Sequence, residues 1–341
     1  MSLLFIDGFD HYAAGDVTKK WASFVASISI AAATPRRAGS SYLSMTFGSS
    51  IAKTVPAAGT FIAGAAYYLG GTPTSNGATI FAWADNATTQ VTIAINSTGF
   101  LEARRGTNNG TLLGTSSVAI STLMWNYLEA KVTIHNTTGA VTIKLNGATI
   151  LTLTGQNTRA SANNSANQFI LNNGSVGNGI ACFFDDLYLS DSSGSAPQND
   201  FLGDCRIDCQ FPNADGSNST WTPSTGTTHY TLVDEATPNT TDYVESNVIG
   251  NKDTWAFQDL SSITGTIYGV QINTAALKDD AGGRSIINTV KSGATNADGA
   301  TQAMGTSQQY FMDVLPVDPA TSAAWTESNF NAAEFGVKVA A

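Results

Sequence analysis

The chain has 341 residues, of which 42% are hydrophobic and only 12% charged, and its net charge is −10. This length suits two domains of roughly 150 to 200 residues, each with its own core. The acidic balance argues against binding to bare nucleic acid or to an anionic membrane surface, since both require basic protein groups. The longest apolar run, residues 61–69, is about half the length of a membrane helix, so no membrane insertion is expected.

Short apolar runs, many alternating with polar residues, predict strands throughout the first half of the chain. They recur at intervals of about 8 to 14 residues, which is typical of an all-β sandwich. Asn146 and Gly147 predict a two-residue hairpin turn of type I′. The predicted strands are residues 3–6, 42–47, 61–69, 79–84, 90–95, 100–104, 125–134, 141–145, 150–153, 169–171 and 182–189.

A change of composition marks a domain boundary in the middle of the chain. Residues 190–200 consist almost entirely of small and polar side chains, which cannot bury enough apolar surface to fold alone. We therefore predict a linker, with the boundary near Pro197 and domains at 1–196 and 197–341. Residues 205–211 alternate apolar and polar side chains, which predicts the first strand of the second domain.

The second half shows the same strand rhythm between Gly, Asn, Asp and Pro turns. One short helix is predicted at residues 327–334, where Thr326 is suited to cap the amino end. The short runs that show this rhythm are residues 221–223, 230–234, 243–244, 255–257, 267–272, 285–290, 309–315 and 335–339.

Three segments of the sequence resemble a group of virion structural proteins of tailed bacteriophages. They are LLFIDGFDHY near the start, FDDLYLSDSSGSAPQNDFLGD in the middle and PATSAAWTESNFNAAEFGVKV near the end. The resemblance implies an all-β chain: a concanavalin A/laminin-G-like antiparallel jelly-roll sandwich followed by a second β-rich domain. It also implies a virion location after synthesis in the bacterial host cytoplasm. None of the shared segments is a catalytic motif.

Carboxylates decide whether such a fold hydrolyses glycans, since the reaction needs two positioned acids. The β-glucanases of this fold carry them as Glu-x-Asp-x-x-Glu on one strand. The first domain contains only Glu102 and Glu129, and neither begins that pattern. No Gly-x-Ser-x-Gly turn occurs either. We therefore expect no enzymatic activity.

The adjacent acids Asp185 and Asp186 are the best remaining candidate site. Neighbouring strand residues point to opposite faces, so they are not expected to act as one catalytic dyad. Two interpretations stay open. One carboxylate accepts backbone hydrogen bonds, or it binds a structural Ca²⁺ together with Asp7 or Asp10, since calcium prefers oxygen ligands. No other cofactor is expected.

Four tryptophans are candidate sugar-stacking platforms, although a tryptophan in a β-sandwich more often belongs to the core. The candidates are Trp83, Trp221, Trp255 and Trp325.

These observations predict a non-enzymatic structural component of a phage particle, in the tail, a fibre or spike, or as capsid decoration. It would act by assembly as a homo-oligomer and with other virion proteins, where many weak contacts gain strength together. The alternative is a module that attaches to a glycan of the host surface. A polysaccharide depolymerase is less favoured, because the paired acids are missing.

Overall fold

The computed structural model describes residues 3–25, 27–74, 78–174 and 180–341. It divides into two compact units, Met1–Ile207 and Asp208–Ala341. Every strand pair in the described residues is antiparallel, and the two α-helices have four and five residues. The predicted all-β class is thus confirmed. No helix in these residues has the length and apolar character needed to cross a membrane.

The described residues of the first unit form fifteen strands and one α-helix. In chain order they are β1 (Leu3–Asp7), α1 (Val17–Lys20), β2 (Ser23–Val25), β3 (Ile28–Ala31), β4 (Tyr42–Met45), β5 (Ser49–Ala58), β6 (Thr60–Leu69), β7 (Ala78–Asp85), β8 (Thr88–Ile95), β9 (Phe100–Arg105), β10 (Thr111–Ala119), β11 (Trp125–Thr133), β12 (Gly139–Leu145), β13 (Ala148–Gln156), β14 (Ala166–Gly174) and β15 (Cys182–Asp191). A 3-10 turn, Ala14–Asp16, precedes α1.

These strands form two sheets. Sheet A has the order β13-β12-β11-β6-β15-β4-β3, with β1 also paired to β15, and sheet B has the order β10-β9-β8-β7-β14-β5-β2. The core lies between them, where Phe184 of sheet A meets Phe81 of sheet B at a centroid distance of 6.4 Å. Tyr67 lies beside Phe184, with ring centroids 5.1 Å apart. Because strand side chains alternate, Tyr68 and Phe183 lie on the opposite side of sheet A, which we call its outer face.

The hairpin between β12 and β13 confirms the turn prediction. Asn146 and Gly147 have φ angles of 50° and 80°, which are the left-handed conformations that a type I′ turn needs. Strands β5 and β10 were not predicted. Strand β10 is rich in Ser, Thr and Gly and lies at the edge of sheet B, where it needs little apolar surface.

The segment after β15 differs from its prediction. Residues 205–211 form no strand, so that prediction is wrong. Arg36 donates from Nη1 to the carbonyl of Cys205 at 2.9 Å, and Asp186 accepts from the N–H of Ile207 at 2.7 Å. Side chains of the first unit thus take the backbone groups that a neighbouring strand would have paired.

The unit boundary also lies further along the chain than the predicted position near Pro197. The first unit ends at Ile207 because Leu202 is buried and several neighbouring residues are hydrogen-bonded to sheet A. We call residues 200–207 the strap.

The second unit contains ten strands and one helix. They are β16 (Pro212–Ser219), β17 (Thr222–Pro223), β18 (Val244–Glu245), β19 (Lys252–Phe257), β20 (Val270–Ala276), β21 (Ser285–Ser292), β22 (Thr295–Asp298), β23 (Gln302–Ala303), β24 (Gln309–Leu315), α2 (Glu327–Asn331) and β25 (Glu334–Val339). One sheet has the order β16-β19-β25-β21-β22, with β23 on β21, and two ribbons pair β17 with β18 and β20 with β24. Its core includes Trp255, Ile286, Phe311 and Val337.

Two local predictions in the second unit have different outcomes. Thr326 caps α2 as predicted, since its side chain accepts from the N–H of Asn329 at 3.1 Å. Residues 230–234, one of the short runs whose rhythm predicts strands, form no strand, because Tyr230–Leu232 is a 3-10 turn. Asp215 causes the turn in part, as its carboxylate accepts from the backbone N–H groups of His229 and Tyr230.

Charge is divided unequally between the units. Met1–Ile207 carries 11 Lys and Arg against 11 Asp and Glu, whereas Asp208–Ala341 carries 5 against 15. The first unit is therefore formally neutral, and the net charge of −10 belongs to the second.

Candidate functional site

The outer face of sheet A carries a line of aromatic side chains. Trp125 on β11 lies directly opposite Tyr68 on β6, and Tyr68 lies opposite Phe183 on β15. Directly opposed residues of antiparallel strands point to the same face. We call Trp125, Tyr68 and Phe183 the aromatic row. It continues across the sheet as Ser44 on β4 and Ser29 on β3.

The three rings are in contact with one another and partly exposed. The Tyr68 centroid lies 5.7 Å from that of Trp125 and 5.0 Å from that of Phe183. Tyr42 is buried beside them, with its centroid 4.7 Å from that of Phe183 and 5.8 Å from that of Trp125. Four aromatic side chains therefore form one cluster whose surface is the row.

Hydrogen bonds fix this cluster to the preceding loop. Trp125 donates from Nε1 to the carbonyl of Thr34 at 3.2 Å. The N–H of Thr34 donates to the hydroxyl of Tyr42, also at 3.2 Å. The indole of Trp125 and the hydroxyl of Tyr42 thus both bond the backbone of Thr34. The row is therefore positioned before any ligand arrives, which lowers the entropy cost of binding.

Further along the same face, Glu129 and Tyr188 lie on either side of Gly64 in register. The hydroxyl of Tyr188 donates to Oε1 of Glu129 at 2.5 Å. Glycine is required between them, because a Cβ at position 64 would collide with the Tyr188 ring. Burial, and then the charge of Glu129, raises the pKa of Tyr188 well above its usual value, so it remains a donor.

The strap covers this part of the face. The N–H of Gly203 donates to Oε1 of Glu129 at 2.9 Å, and the N–H of Leu202 donates to the hydroxyl of Tyr188 at 3.2 Å. Lys131 and Lys144 hold the beginning of the strap through Asp200, at 3.0 Å, and through the ring of Phe201, at 4.4 Å. The chain's own residues therefore occupy the middle of the face, and the aromatic row lies outside the strap's contacts.

The sequence predicts that Asp185 and Asp186 point to opposite faces of a regular strand, and this prediction is wrong. The pairing of β15 with β6 is irregular between Asp185 and Tyr188, and Asp186 has a φ of 50°. Such a bulge re-aims side chains. Both carboxyl groups consequently face the loop that precedes β4.

Asp186 is held by two guanidinium groups. Its Oδ2 accepts from Nη1 of Arg36 at 2.5 Å and from Nη1 of Arg37 at 2.6 Å, and its Oδ1 accepts from Nη2 of Arg37 and from the N–H of Ile207. Arg36 also bonds Asp204 of the strap and lies 5.1 Å from the Tyr127 ring centroid. The carboxylate of Asp186 is thus a fully buried, charge-compensated anchor.

Asp185 lies beside this anchor with much weaker support. Its Oδ1 accepts from the N–H of Asp186 at 2.7 Å, and its Oδ2 lies 3.5 Å from the hydroxyl of Ser40. Burial, reinforced by the charge of Asp186, raises the pKa of Asp185 to about 8. Asp10 accepts from the N–H of Ser41 at 2.6 Å, and burial raises its pKa to about 6.

Asp7 belongs to a separate buried cluster. Its carboxylate accepts from the hydroxyl of Tyr12 at 2.7 Å, from Nε1 of Trp21 at 2.9 Å and from the N–H of Phe9 at 3.0 Å. Lys20 completes the cluster at 3.1 Å. Burial alone would raise the pKa of Asp7, but the charge of Lys20 and these hydrogen bonds lower it overall.

The residues do not fit the calcium site considered from the sequence. The carboxylate oxygens of Asp7 and Asp186 are already engaged by cations and by N–H or O–H donors. Across the described part of the chain, no group of three or more His, Cys, Asp or Glu residues is placed to hold a metal ion. Hydrogen-bond satisfaction is the interpretation that these contacts favour.

Sequence reasoning missed the aromatic row. It singled out four other tryptophans, of which Trp83, Trp255 and Trp325 are buried as expected for core residues. A signal was available at Tyr67 and Tyr68, because adjacent aromatic residues on one strand place one ring on each face. One of the two had to lie outside the core.

No protein-family model and no curated protein matches this chain. Solved structures give weak similarities. One is the cellulose induced protein Cip1, with 19% identity over 54% of this chain and 96% of that one and a TM-score of 0.41. Another is domain 4 of the arabinanase AbnA from Geobacillus stearothermophilus, with 14% identity, 56% and 92% coverage and a TM-score of 0.40.

A third is a carbohydrate esterase from the Shiga toxin-encoding bacteriophage phi24B, with 14% identity, 55% and 99% coverage and a TM-score of 0.37. At these TM-scores the similarities carry no argument about this chain.

Proposed function

We propose that the first unit is a non-catalytic glycan-binding module, and that the chain attaches a tailed-phage particle to a glycan of its host. The aromatic row carries this proposal. Sugar rings present apolar C–H faces, which bind to aromatic side chains, while their hydroxyl groups need neighbouring polar partners. Trp125, Tyr68 and Phe183 offer the first, and Ser44 and Ser29 in the same row offer the second.

The environment of the acids supports a binding role without catalysis. Glu129 and Asp186 are fully buried and accept hydrogen bonds from the strap's own backbone. A glycosidase acid must instead reach the glycosidic oxygen or an attacking water. These two carboxylates act as anchors of the strap in our proposal.

The phage setting rests on the resemblance of the sequence segments. The middle segment runs from Phe184 to Asp204, so it includes Asp186, Tyr188 and most of the strap. This one of the three segments thus contributes residues that shape the outer face beside the aromatic row. This supports a shared architecture for that face.

Glycan binding is tested with purified protein on an array of bacterial and plant glycans, followed by calorimetric titration of the best ligand. We expect W125A and Y68A each to weaken binding by about tenfold or more, equivalent to about 1.4 kcal/mol. The matched control is F24A, because Phe24 is an exposed aromatic residue on sheet B. Thermal melting of each variant separates lost binding from lost folding. Absence of any ligand, or equal affinity of all variants, contradicts the proposal.

A second candidate function is assembly with other copies or virion proteins. Its supporting observation is the exposure of Leu123 and Met124, 65% and 50%, immediately before the aromatic row. Leu123 also has a φ of 58°, which is unfavourable for a bulky side chain. Exposed apolar groups of this size often mark protein contacts. Sedimentation velocity tests it: we expect oligomers that dissociate in the L123S/M124S variant, and a monomer at all concentrations contradicts it.

A further inference from the structure

We infer that the aromatic row binds a neutral glycan, one without carboxylate, sulfate or phosphate groups. This inference rests on the glycan-binding function proposed above and specifies its ligand class. Three observations carry it. The cations of the outer face are already engaged, the two positions that continue the aromatic row carry hydroxyl groups, and the first unit has no net charge.

The paired cations come first. Arg36 and Arg37 both donate to the carboxylate of Asp186, and Arg36 also bonds Asp204. An arginine whose donors are committed to a buried carboxylate cannot release them to a ligand without leaving that buried charge uncompensated, which is strongly unfavourable.

The lysines of the outer face are engaged too. Lys131 pairs with Asp200 at 3.0 Å, and Lys144 lies 4.4 Å from the centre of the Phe201 ring. Both contacts are with the strap, whereas the aromatic row lies at the opposite end of β11. An acidic sugar on the row would therefore lose hydration at its anionic group without gaining a counter-charge, and this desolvation is unfavourable.

The row offers neutral groups instead. Beyond Phe183 it continues with the hydroxyl-bearing Ser44 and the exposed Ser29 on the next two strands. Adjacent strands are about 4.8 Å apart, so five neighbouring positions form a strip about 19 Å long. Aromatic rings at one end and hydroxyl groups at the other match a chain of neutral sugars.

Long-range electrostatics agree with this assignment. The first unit carries 11 basic and 11 acidic residues, and the whole chain has a net charge of −10. Acidic polysaccharides are captured with the help of a positive field, which this protein does not supply. We therefore expect the affinity for the true ligand to change little between low and high salt.

The test uses acidic polysaccharides, each paired with its own carboxyl-reduced form: polygalacturonate, polymannuronate and hyaluronan. Each pair keeps the same linkages and differs only where the carboxylate of one member is a hydroxymethyl group in the other. In any recognised pair, we expect the reduced member to bind at least about tenfold more tightly than the acidic member, at both low and high salt. We expect this binding to be lost in W125A.

A gain-of-function variant sharpens the test. S44K places a cation directly opposite Phe183, so we expect it to increase binding to the acidic member of the same pair, and the increase to vanish at high salt. The control S23K makes the same change at an exposed position of β2 on sheet B.

The outcomes separate the two proposals. If wild-type protein binds an acidic member as tightly as its reduced form, and W125A abolishes that binding, glycan recognition stands and the inference about neutral ligands is wrong. If neither these pairs nor any neutral glycan of the array binds, or binding ignores Trp125 and Tyr68, the proposed function itself is wrong.

Discussion

The hydroxyl of Tyr188 donates a 2.5 Å hydrogen bond to Oε1 of Glu129, and the same oxygen accepts from the N–H of Gly203 at 2.9 Å. The Tyr188 hydroxyl in turn accepts from the N–H of Leu202 at 3.2 Å. One buried carboxylate and one phenol therefore join β11, β15 and the strap. The carboxylate of Glu129, at the centre of the outer face, is therefore engaged by the protein's own donors.

Removing the hydroxyl of Tyr188 should destabilise the first unit. Y188F leaves the N–H of Leu202 and one acceptor position of Glu129 without their partner, which we expect to cost roughly 1 to 3 kcal/mol in the free energy of unfolding. Urea denaturation measures it. Y68F is the matched control, since the described residues provide no hydrogen bond to the Tyr68 hydroxyl, and its effect should stay within about 0.5 kcal/mol. Equal effects of the two variants would refute the role given to Tyr188.

Neutralising Asp186 should be more severe. D186N removes the buried negative charge that Arg36 and Arg37 share, and we expect a loss of roughly 3 to 5 kcal/mol in the free energy of unfolding. D204N is the control at the same guanidinium, because the Asp204 side chain is 57% exposed and should contribute less than about 1 kcal/mol. Chemical denaturation of both variants gives the comparison. A D186N protein as stable as D204N would show that the arginine pair is not an anchor.

Asp185 should give stability an unusual dependence on pH. The folded protein keeps its proton up to a pKa of about 8, whereas the unfolded chain loses it near 3.8. The folded state then binds more protons, so this group's contribution is complete below pH 4 and is lost as the pH rises to about 8. D185N abolishes that loss.

The measurement is the free energy of unfolding of wild type and D185N between pH 5 and pH 8. The difference should move in favour of D185N with rising pH, by at most about 1.4 kcal/mol per pH unit. The charge of Asp10 also contributes to the raised pKa of Asp185, so the same comparison is repeated in the D10N background. Two parallel curves would mean that Asp185 is already ionised in the folded state at pH 5.

Chelation should leave the protein unchanged. Because the oxygens of Asp7 and Asp186 are engaged by protein donors, we expect EDTA to leave the melting temperature as it is, and added Ca²⁺ to leave it as it is as well. Differential scanning calorimetry follows both additions, with Mg²⁺ as the control ion. A calcium-specific rise that D185N or Asp10→Asn removes would restore the metal site considered from the sequence.

The cap of α2 should have a modest effect on the second unit. T326A removes the acceptor of the Asn329 N–H, and we expect a loss of about 1 kcal/mol in the free energy of unfolding. Urea denaturation followed by tryptophan fluorescence detects it through Trp325, which lies beside Phe330 of the helix. The control is S322A, which removes no described side-chain hydrogen bond. The nearby Thr321 is unsuitable because its hydroxyl bonds Asp318. An effect of T326A no larger than that of S322A would argue against the cap.

Much of the fold was predictable because strand periodicity and turn chemistry are local. The turn at Asn146 and Gly147 and the cap at Thr326 both follow from the conformations of one or two residues. The predicted strand at 205–211 failed for a non-local reason. Alternation predicts a half-buried extended segment, and it does not reveal whether a neighbouring strand or distant side chains such as Arg36 will take the backbone bonds.

The candidate site was less predictable than the fold. The sequence identifies Asp185 and Asp186 as a pair. The bulge that turns both toward one loop depends on the positive φ of Asp186, which the residue type does not predict. The aromatic row joins Tyr68, Trp125 and Phe183 from three strands far apart in the chain. Its existence depends on strand order and register, which a single sequence specifies only weakly.

The strap determines where this protein can be cut. A fragment that stops at residue 196 would strip Glu129 and Asp186 of the amide donors of Gly203 and Ile207, and it would uncover Tyr188 to water. Such a fragment would be prone to misfold for reasons unrelated to glycan recognition. Anyone isolating the first unit should therefore retain the sequence through Ile207, so that the sandwich keeps its own closing segment.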